Sequence, residues 1–271
     1  MQLIINADDL GFSPAVNDAV IHSPQITAAS LMVNMPFAEE AVKLVAEKRP
    51  DLSLALHFTL TSGKSVAAPQ DIPLLVDADG MFRHGFLGLW KGVARKDFLR
   101  QTETEFDAQL SAMDNFTAKY GIHFDHLDSH QHVHCLPGIL ELLQDRADER
   151  QIRLRIPREP FRLMPCLRNP VNAIKRLILN WNLRCAHQSI GYFGILESGK
   201  IDEKAIRGIV RYLNATPAKH SIYEINVHPS TLQPVQNLCC SRDDAKFHQS
   251  VWRRKEYEAV HSAYFVSGSG S

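Results

Sequence analysis

Apolar runs and helix-period stripes alternate along most of this chain. Leu3-Ile4-Ile5-Asn6-Ala7 is short, apolar and ends in polar residues, the pattern of a buried parallel strand whose C-terminal end meets a site. Ser13-Pro14 then supplies an N-cap and a first position for a helix through Val16, Ala19 and Val20. The unit repeats: Ala28 to Val33 is strand-like, Phe37 to Lys48 is a helix with Ala38, Ala41, Val42 and Val45 on one stripe, and Leu52 to Phe58 is strand-like again. A long amphipathic helix is predicted from Lys96 to Tyr120, then a strand His126 to Asp128, a helix Pro137 to Arg150 and a strand Ile152 to Ile156. Asp202 to Leu213 reads as a further helix and Ser221 to Val227 as a further strand. Such alternation implies a parallel sheet with helices outside it. With 271 residues and no Pro/Gly/Ser-rich linker, the expectation is a single α/β domain over residues 1–266, a (β/α) barrel rather than a doubly wound sheet. Residues 267–271 read as a flexible tail.

Polar, metal-competent residues sit where these strands stop: Asp8 and Asp9, His57, Asp128 and His130, and His228. The carboxyl ends of parallel strands build the site in such folds, so four strands point at one place. Asp8-Asp9 precedes Gly11, which places both carboxylates at a turn, one towards a metal and one free for proton transfer. A divalent cation removes their mutual repulsion. His57 is the single imidazole in the apolar strand Leu54 to Leu60, and its place at a strand end makes it a candidate ligand.

Five histidines, His123, His126, His130, His132 and His134, fall within twelve residues. They cannot all bind one ion, because zinc or magnesium sites of this type take two or three side chains and leave room for water and substrate. His130 is the expected ligand, while His123 and His126 read as surface or packing residues. Asp128, His132, His134, Arg155 and Arg158 form the expected substrate end of the site. Within it Asp128 orients an imidazole and one of the arginines pairs with Asp8. Tyr223 to His228 is a strand whose terminal histidine is held extended by Pro229. A fixed imidazole there suits a general acid.

Composition narrows the classes. Thirty Lys+Arg balance thirty Asp+Glu, which argues against bulk nucleic-acid binding. No apolar run reaches 18 residues and the start, MQLIINADDLGF, lacks a signal-peptide pattern, so a cytoplasmic protein is expected. Five cysteines, Cys135, Cys166, Cys185, Cys239 and Cys240, form no CxxC pair and read as thiols. The neutral total hides a local excess. From Arg153 to Arg184 eight basic residues face one acidic, Glu159, and Val171, Ile174, Leu177, Ile178 and Trp181 recur at helical spacing after Pro170. This basic amphipathic insertion, about residues 158–198, suits peripheral contact with an anionic membrane. The alternative is a lid or a homodimer contact.

Together these stretches resemble the YdjC-like family of carbohydrate deacetylases. The resemblance rests on IINADDLGFSPAVNDAV, LALHFTLTSGK, HLDSHQHVHCLPGI, LRIPRE and EINVHPS, which span residues 3–230. It implies a distorted (β/α) barrel of the polysaccharide-deacetylase type and one divalent metal ion, zinc or magnesium. Asp9, His57 and His130 are then the ligands, Asp8 the general base and His228 the general acid. The implied reaction removes an N-acetyl group from an N-acetylglucosaminyl substrate, giving free amine and acetate. Leu75 to Arg83 and Arg155 to Phe161 resemble the deacetylases associated with hopanoid biosynthesis, whose substrate is an acetylglucosaminyl hopanoid glycolipid met at the inner membrane. Two motifs depart from the pattern. NVHPS lacks the Cys that often precedes the histidine, and HQH replaces a commoner run of three histidines. The alternatives are a chitooligosaccharide deacetylase, or a metal-dependent amidohydrolase or phosphoesterase acting on a non-sugar substrate. A phosphoesterase would call for a second set of ligands that the sequence does not offer.

Overall fold

The computed structural model of the protein describes residues 1–187, 189–231 and 240–261; the expectations for Cys239 and the tail 267–271 lie outside the described residues. Its strands are β1 (Gln2–Leu10), β2 (Ala28–Leu31), β3 (Ser53–Phe58), β4 (Phe124–Ser129), β5 (Arg153–Leu154), β6 (Gly191–Phe193) and β7 (Ile222–Val227). The helices are α1 (Pro14–Ile21), α2 (Ala38–Lys48), α3 (Phe86–Gly92), α4 (Lys96–Tyr120), α5 (Ile139–Arg150), α6 (Leu163–Arg168), α7 (Pro170–Asn182), α8 (Glu203–Ala215), α9 (Arg242–His248) and α10 (Val251–Val260). A 3-10 segment, His130–Cys135, follows β4.

All seven strands are parallel in the order β5-β4-β3-β2-β1-β7-β6, so β1 lies inside a curled sheet and β5 and β6 form its two edges. The expected α/β barrel is therefore present as an open one. Its strands are too short at the seam to close it: β5 has two residues, and Pro157, without an N–H, follows soon after. Side chains span the gap instead. Arg155 Nε lies 2.7 Å and Arg153 Nη1 3.3 Å from the Glu224 carboxylate on β7, and the seam encloses only ≈ 10 Å³.

Local sequence explains the elements near the site. Ser13 caps α1 by accepting from Val16 N at 3.3 Å with Pro14 at the first position, as expected. Between β1 and α1 the chain turns at Gly11, whose φ is +88° and where a Cβ would lie 3.0 Å from Ala38 Cα. A side chain there is excluded both by space and by backbone. The outer face of α7 is apolar and uncovered, while Leu179 and Arg176 face inward. The chain beyond His228 returns as α9 and α10, which were not anticipated, and covers the carboxyl ends of the strands.

Candidate metal and catalytic site

Asp8 and Asp9 lie at the end of β1, His57 near the end of β3, His130 directly after β4 and His228 directly after β7. With Gln131, His132, Lys175, Ser198, Asp243, Asp244 and Phe247 they line one cleft of ≈ 240 Å³. Four strand ends thus meet as the sequence led one to expect.

Asp9 is at the centre, 1% exposed and with φ +66°. Its Oδ1 lies 3.0 Å from His130 Nδ1 and 3.3 Å from His57 Nε2. His248 Nε2 is 3.3 Å from Oδ2, which makes no hydrogen bond of good geometry. Positive φ is unfavourable for a non-glycine residue and persists only where the surroundings impose it. Gln131 (+56°) and His132 (+59°) share this conformation, so three of the four such residues among the described ones sit in the site.

The imidazoles are oriented from behind. Asp128 Oδ1 accepts from His57 Nδ1 at 2.6 Å, leaving Nε2 towards Asp9. Asp244 Oδ1 accepts from His130 Nε2 at 3.1 Å, leaving Nδ1 towards Asp9. Two imidazole nitrogens and a carboxylate oxygen, within 4.8 Å of one another and with their far sides already bonded, are a donor set suited to a divalent ion. Asp8, His57 and Asp128 also lie close enough to share an ion. That set suits one less well, because Asp8 and Asp128 are both paired with the Arg155 guanidinium.

Electrostatics separate the histidines into two kinds. Burial alone would push His57 and His130 down, but Asp128 and Asp8 raise His57 to about 10, and Asp9 with Asp244 raises His130 to about 9. Burial of Asp9 acts upward, but the neighbouring imidazoles outweigh it and hold the carboxyl well below the usual range. At three other buried imidazoles burial wins, over the upward pull of Asp128 on His134 and of Asp9 on His248 and with no such pull on His132. It pushes His134 down to about 4 and His132 well below its ordinary value, and it lowers His248.

Asp8 accepts from Asn6 at 2.8 Å, from Asn226 at 2.8 Å and from Arg155 at 3.0 Å. Its Oδ2 faces His228 Nε2 and His57 Nε2, each at 3.9 Å. His228 is positioned by α9 and α10: its backbone N–H donates to Glu256 at 2.6 Å, its carbonyl accepts from Arg253 at 3.1 Å, and its ring packs edge-on against Phe247 of α9. Glu256, buried beside Arg253, is pushed up by burial but held below the usual range by that cation.

The expected substrate-facing residues divide. His132 lines the cleft and its Nδ1 is buried without a hydrogen bond. Asp128 orients His57, as expected, and is fully buried. His134 is also fully buried, with Ser129 Oγ at 2.5 Å on one nitrogen and the Arg155 carbonyl at 2.9 Å on the other, so it braces the chain rather than facing the cleft. Arg155, 1% exposed, pairs with Asp8 as expected but also with Asp128 and Glu224, beneath the cleft. Arg158 is not brought to Asp8: it donates to the Arg184 carbonyl at 3.3 Å, because Glu159 turns the chain into the insertion there.

The residues here that escaped the sequence reading include Asp244, Phe247, His248, Arg253 and Glu256 on the returning helices. Asp244 and His248 are four apart on one helix face, and Arg253 and Glu256 three apart, spacings that place side chains together. A second signal lay in the strands. Asn6 with Asp8, and Glu224 with Asn226, are polar residues two apart in apolar strands, and the β1–β7 register sets Asn6 against Asn226 inside the barrel.

Fold and site together define an open parallel α/β barrel with a buried Asp-His-His donor set at the carboxyl ends of its strands. The chain belongs to the YdjC-like protein family, whose profile matches residues 2–267. It is similar to proteins called carbohydrate deacetylase from Brevibacillus brevis (39% identical over 160 residues, 58% of this chain and 60% of that one). A second, from Geobacillus stearothermophilus, is 38% identical over 162 residues, 59% of each chain. The matched part thus spans about three-fifths of the length of these curated relatives. A crystal structure from Enterococcus faecalis, named as a candidate cellobiose-phosphate cleavage protein, shares the fold. Its TM-score is 0.72 at 24% identity, covering 98% of this chain and 92% of that one.

Proposed function

We propose that this chain is a metal-dependent carbohydrate N-deacetylase, hydrolysing an N-acetylated amino sugar to free amine and acetate. The observation that carries this reading is the meeting of Asp8, Asp9, His57, His130 and His228 in one cleft, in a chain whose curated relatives bear the deacetylase name. Asp9, His57 and His130 would hold the ion. A divalent ion in such a set supplies Lewis acidity to the acetyl carbonyl and makes water easier to deprotonate.

The chain's own groups account for the protons. Asp8, on one side of the cleft, takes the proton from the attacking water, and Arg155, Asn6 and Asn226 fix its carboxylate. His228, 3.9 Å from Asp8, gives its proton to the departing nitrogen as the C–N bond breaks. Arg253, Glu256 and Phe247 keep that imidazole in place. Asp128 and Asp244 fix which nitrogen of His57 and of His130 faces the ion. The finer reading is that the sugar is N-acetylglucosamine carried on a hopanoid. It rests on the resemblance of Leu75 to Arg83 and Arg155 to Phe161 to deacetylases of that branch.

The test is acetate release from diacetylchitobiose and from N-acetylglucosaminyl hopanoid. Asp8→Asn is expected to lower turnover on either by about 10²–10⁴-fold. Full activity of that variant would refute the base assignment. A preference for diacetylchitobiose would replace the hopanoid by a soluble chitooligosaccharide.

A further inference from the structure

We propose that the uncovered face of α6 and α7 docks the protein on the surface of an anionic phospholipid bilayer. Leu163, Leu167, Val171, Ile174, Leu177 and Trp181 are each between 58% and 76% exposed. On α7 they fall on one stripe, opposite the buried Leu179 and Arg176. A contiguous apolar surface of this kind marks an interaction site rather than an ordinary solvent face.

Charge selects the partner. From Pro160 to Leu196 there is no Asp or Glu, and Arg168 and Arg184, exposed on either side of α7, make no ion pair among the described residues. The Arg184 guanidinium sits 4.6 Å from the centre of the Trp181 ring. Apolar stripe, flanking arginines and an amphipathic Trp are what a helix lying at an anionic headgroup layer requires. A second copy of the chain fits less well, since a two-fold contact would set this basic surface against itself.

The inner side is rigidly held, which leaves the outer side free to act as a platform. The Glu159 carboxylate accepts from Ile195 N at 2.7 Å and Leu196 N at 2.9 Å and pairs with Arg162, while Arg176 Nε donates to the Glu159 carbonyl at 2.8 Å. Lys175 projects from the same helix into the cleft, so docking would bring the cleft beside the bilayer, within reach of an acetylated amino sugar carried on a lipid. That last consequence rests on the deacetylase reading; the docking does not.

The test is co-sedimentation of the full chain with phosphatidylcholine vesicles and with phosphatidylcholine vesicles containing phosphatidylglycerol, at low and high salt. The expected result is retention on the anionic vesicles that weakens with salt. The triple variant Val171→Ser, Ile174→Ser, Leu177→Ser should bind at least about tenfold more weakly while keeping the wild-type circular dichroism spectrum. Arg168→Glu with Arg184→Glu should remove the preference for anionic vesicles. Three results would overturn the proposal: no binding to anionic vesicles, undiminished binding by the triple variant, or a stable dimer in sedimentation that this variant dissociates. Acetate release from diacetylchitobiose should be unchanged in the triple variant. If the wild type releases none from any acetylated sugar, the deacetylase reading fails and the vesicle result still stands.

Discussion

A guanidinium buried to 1% exposure among Asp8, Asp128 and Glu224 does more than pair with one of them. Arg155 balances charge across β1, β4 and β7, and its planar fork sets the angle of the Asp8 carboxylate. Arg155→Met is expected to cost about 3–5 kcal/mol, because it leaves buried carboxylates without a cation. Arg155→Lys should recover part of that stability and little activity, since an ammonium cannot hold two carboxylates in the same geometry. Urea denaturation and acetate release check this, and equal rescue of both by Lys would show that only charge matters. The sequence made the Asp8 pairing legible but not the other two. Asp128 was assigned elsewhere, and Glu224 looks like an ordinary polar residue until the β1–β7 register turns it inward.

The elements carrying the site were legible where their periodicity was long and regular. The predicted Lys96 to Tyr120 helix is α4 to the residue, and every strand contributing a site residue was anticipated. β6, three residues long, and α9 and α10, with much polar surface, gave too little pattern to be read. The buried polar side of α4 shows how an element can stabilise a loop without regular structure. Glu105 accepts from Val66 N at 3.0 Å and Ala67 N at 2.9 Å, and Gln109 bonds both the N–H and the carbonyl of Thr59. Burial pushes Glu105 up to about 7. Its folded value thus lies above its unfolded one, so between about pH 4.5 and 7 the unfolded chain has released a proton that the folded chain retains. This contribution to stability is present at low pH and is lost as pH rises through that window, by on the order of 3 kcal/mol. Glu105→Gln should therefore be less stable relative to wild type at pH 5 than at pH 8. A stability difference that is the same at both, measured by urea unfolding, would refute it.

At the scale of the whole molecule, the candidate ion site draws on both ends of the chain: Asp9 from β1, His57 from β3, His130 after β4, and behind them Asp244 from α9. An ion bound there would link the sheet to the returning C-terminal helices, and it would bind the folded state far better than an unfolded chain with scattered ligands. Mass action then predicts stabilisation of about 2.7 kcal/mol at an ion concentration one hundred times Kd. For a chain of this size that is on the order of 5–10 °C in the unfolding midpoint. Chelation should lower the midpoint by that amount, and titration with zinc and with magnesium should identify which ion restores it at the lower concentration. Asp9→Asn should abolish the response. Asp244→Ala, which removes the partner of His130 Nε2 together with bonds from Gln131 and Ser241, should shift the titration by about 10–100-fold while still responding to the ion. If Asp9→Asn responded to ion as the wild type does, the Asp9, His57, His130 set would not be where the ion binds, however well its geometry suits one.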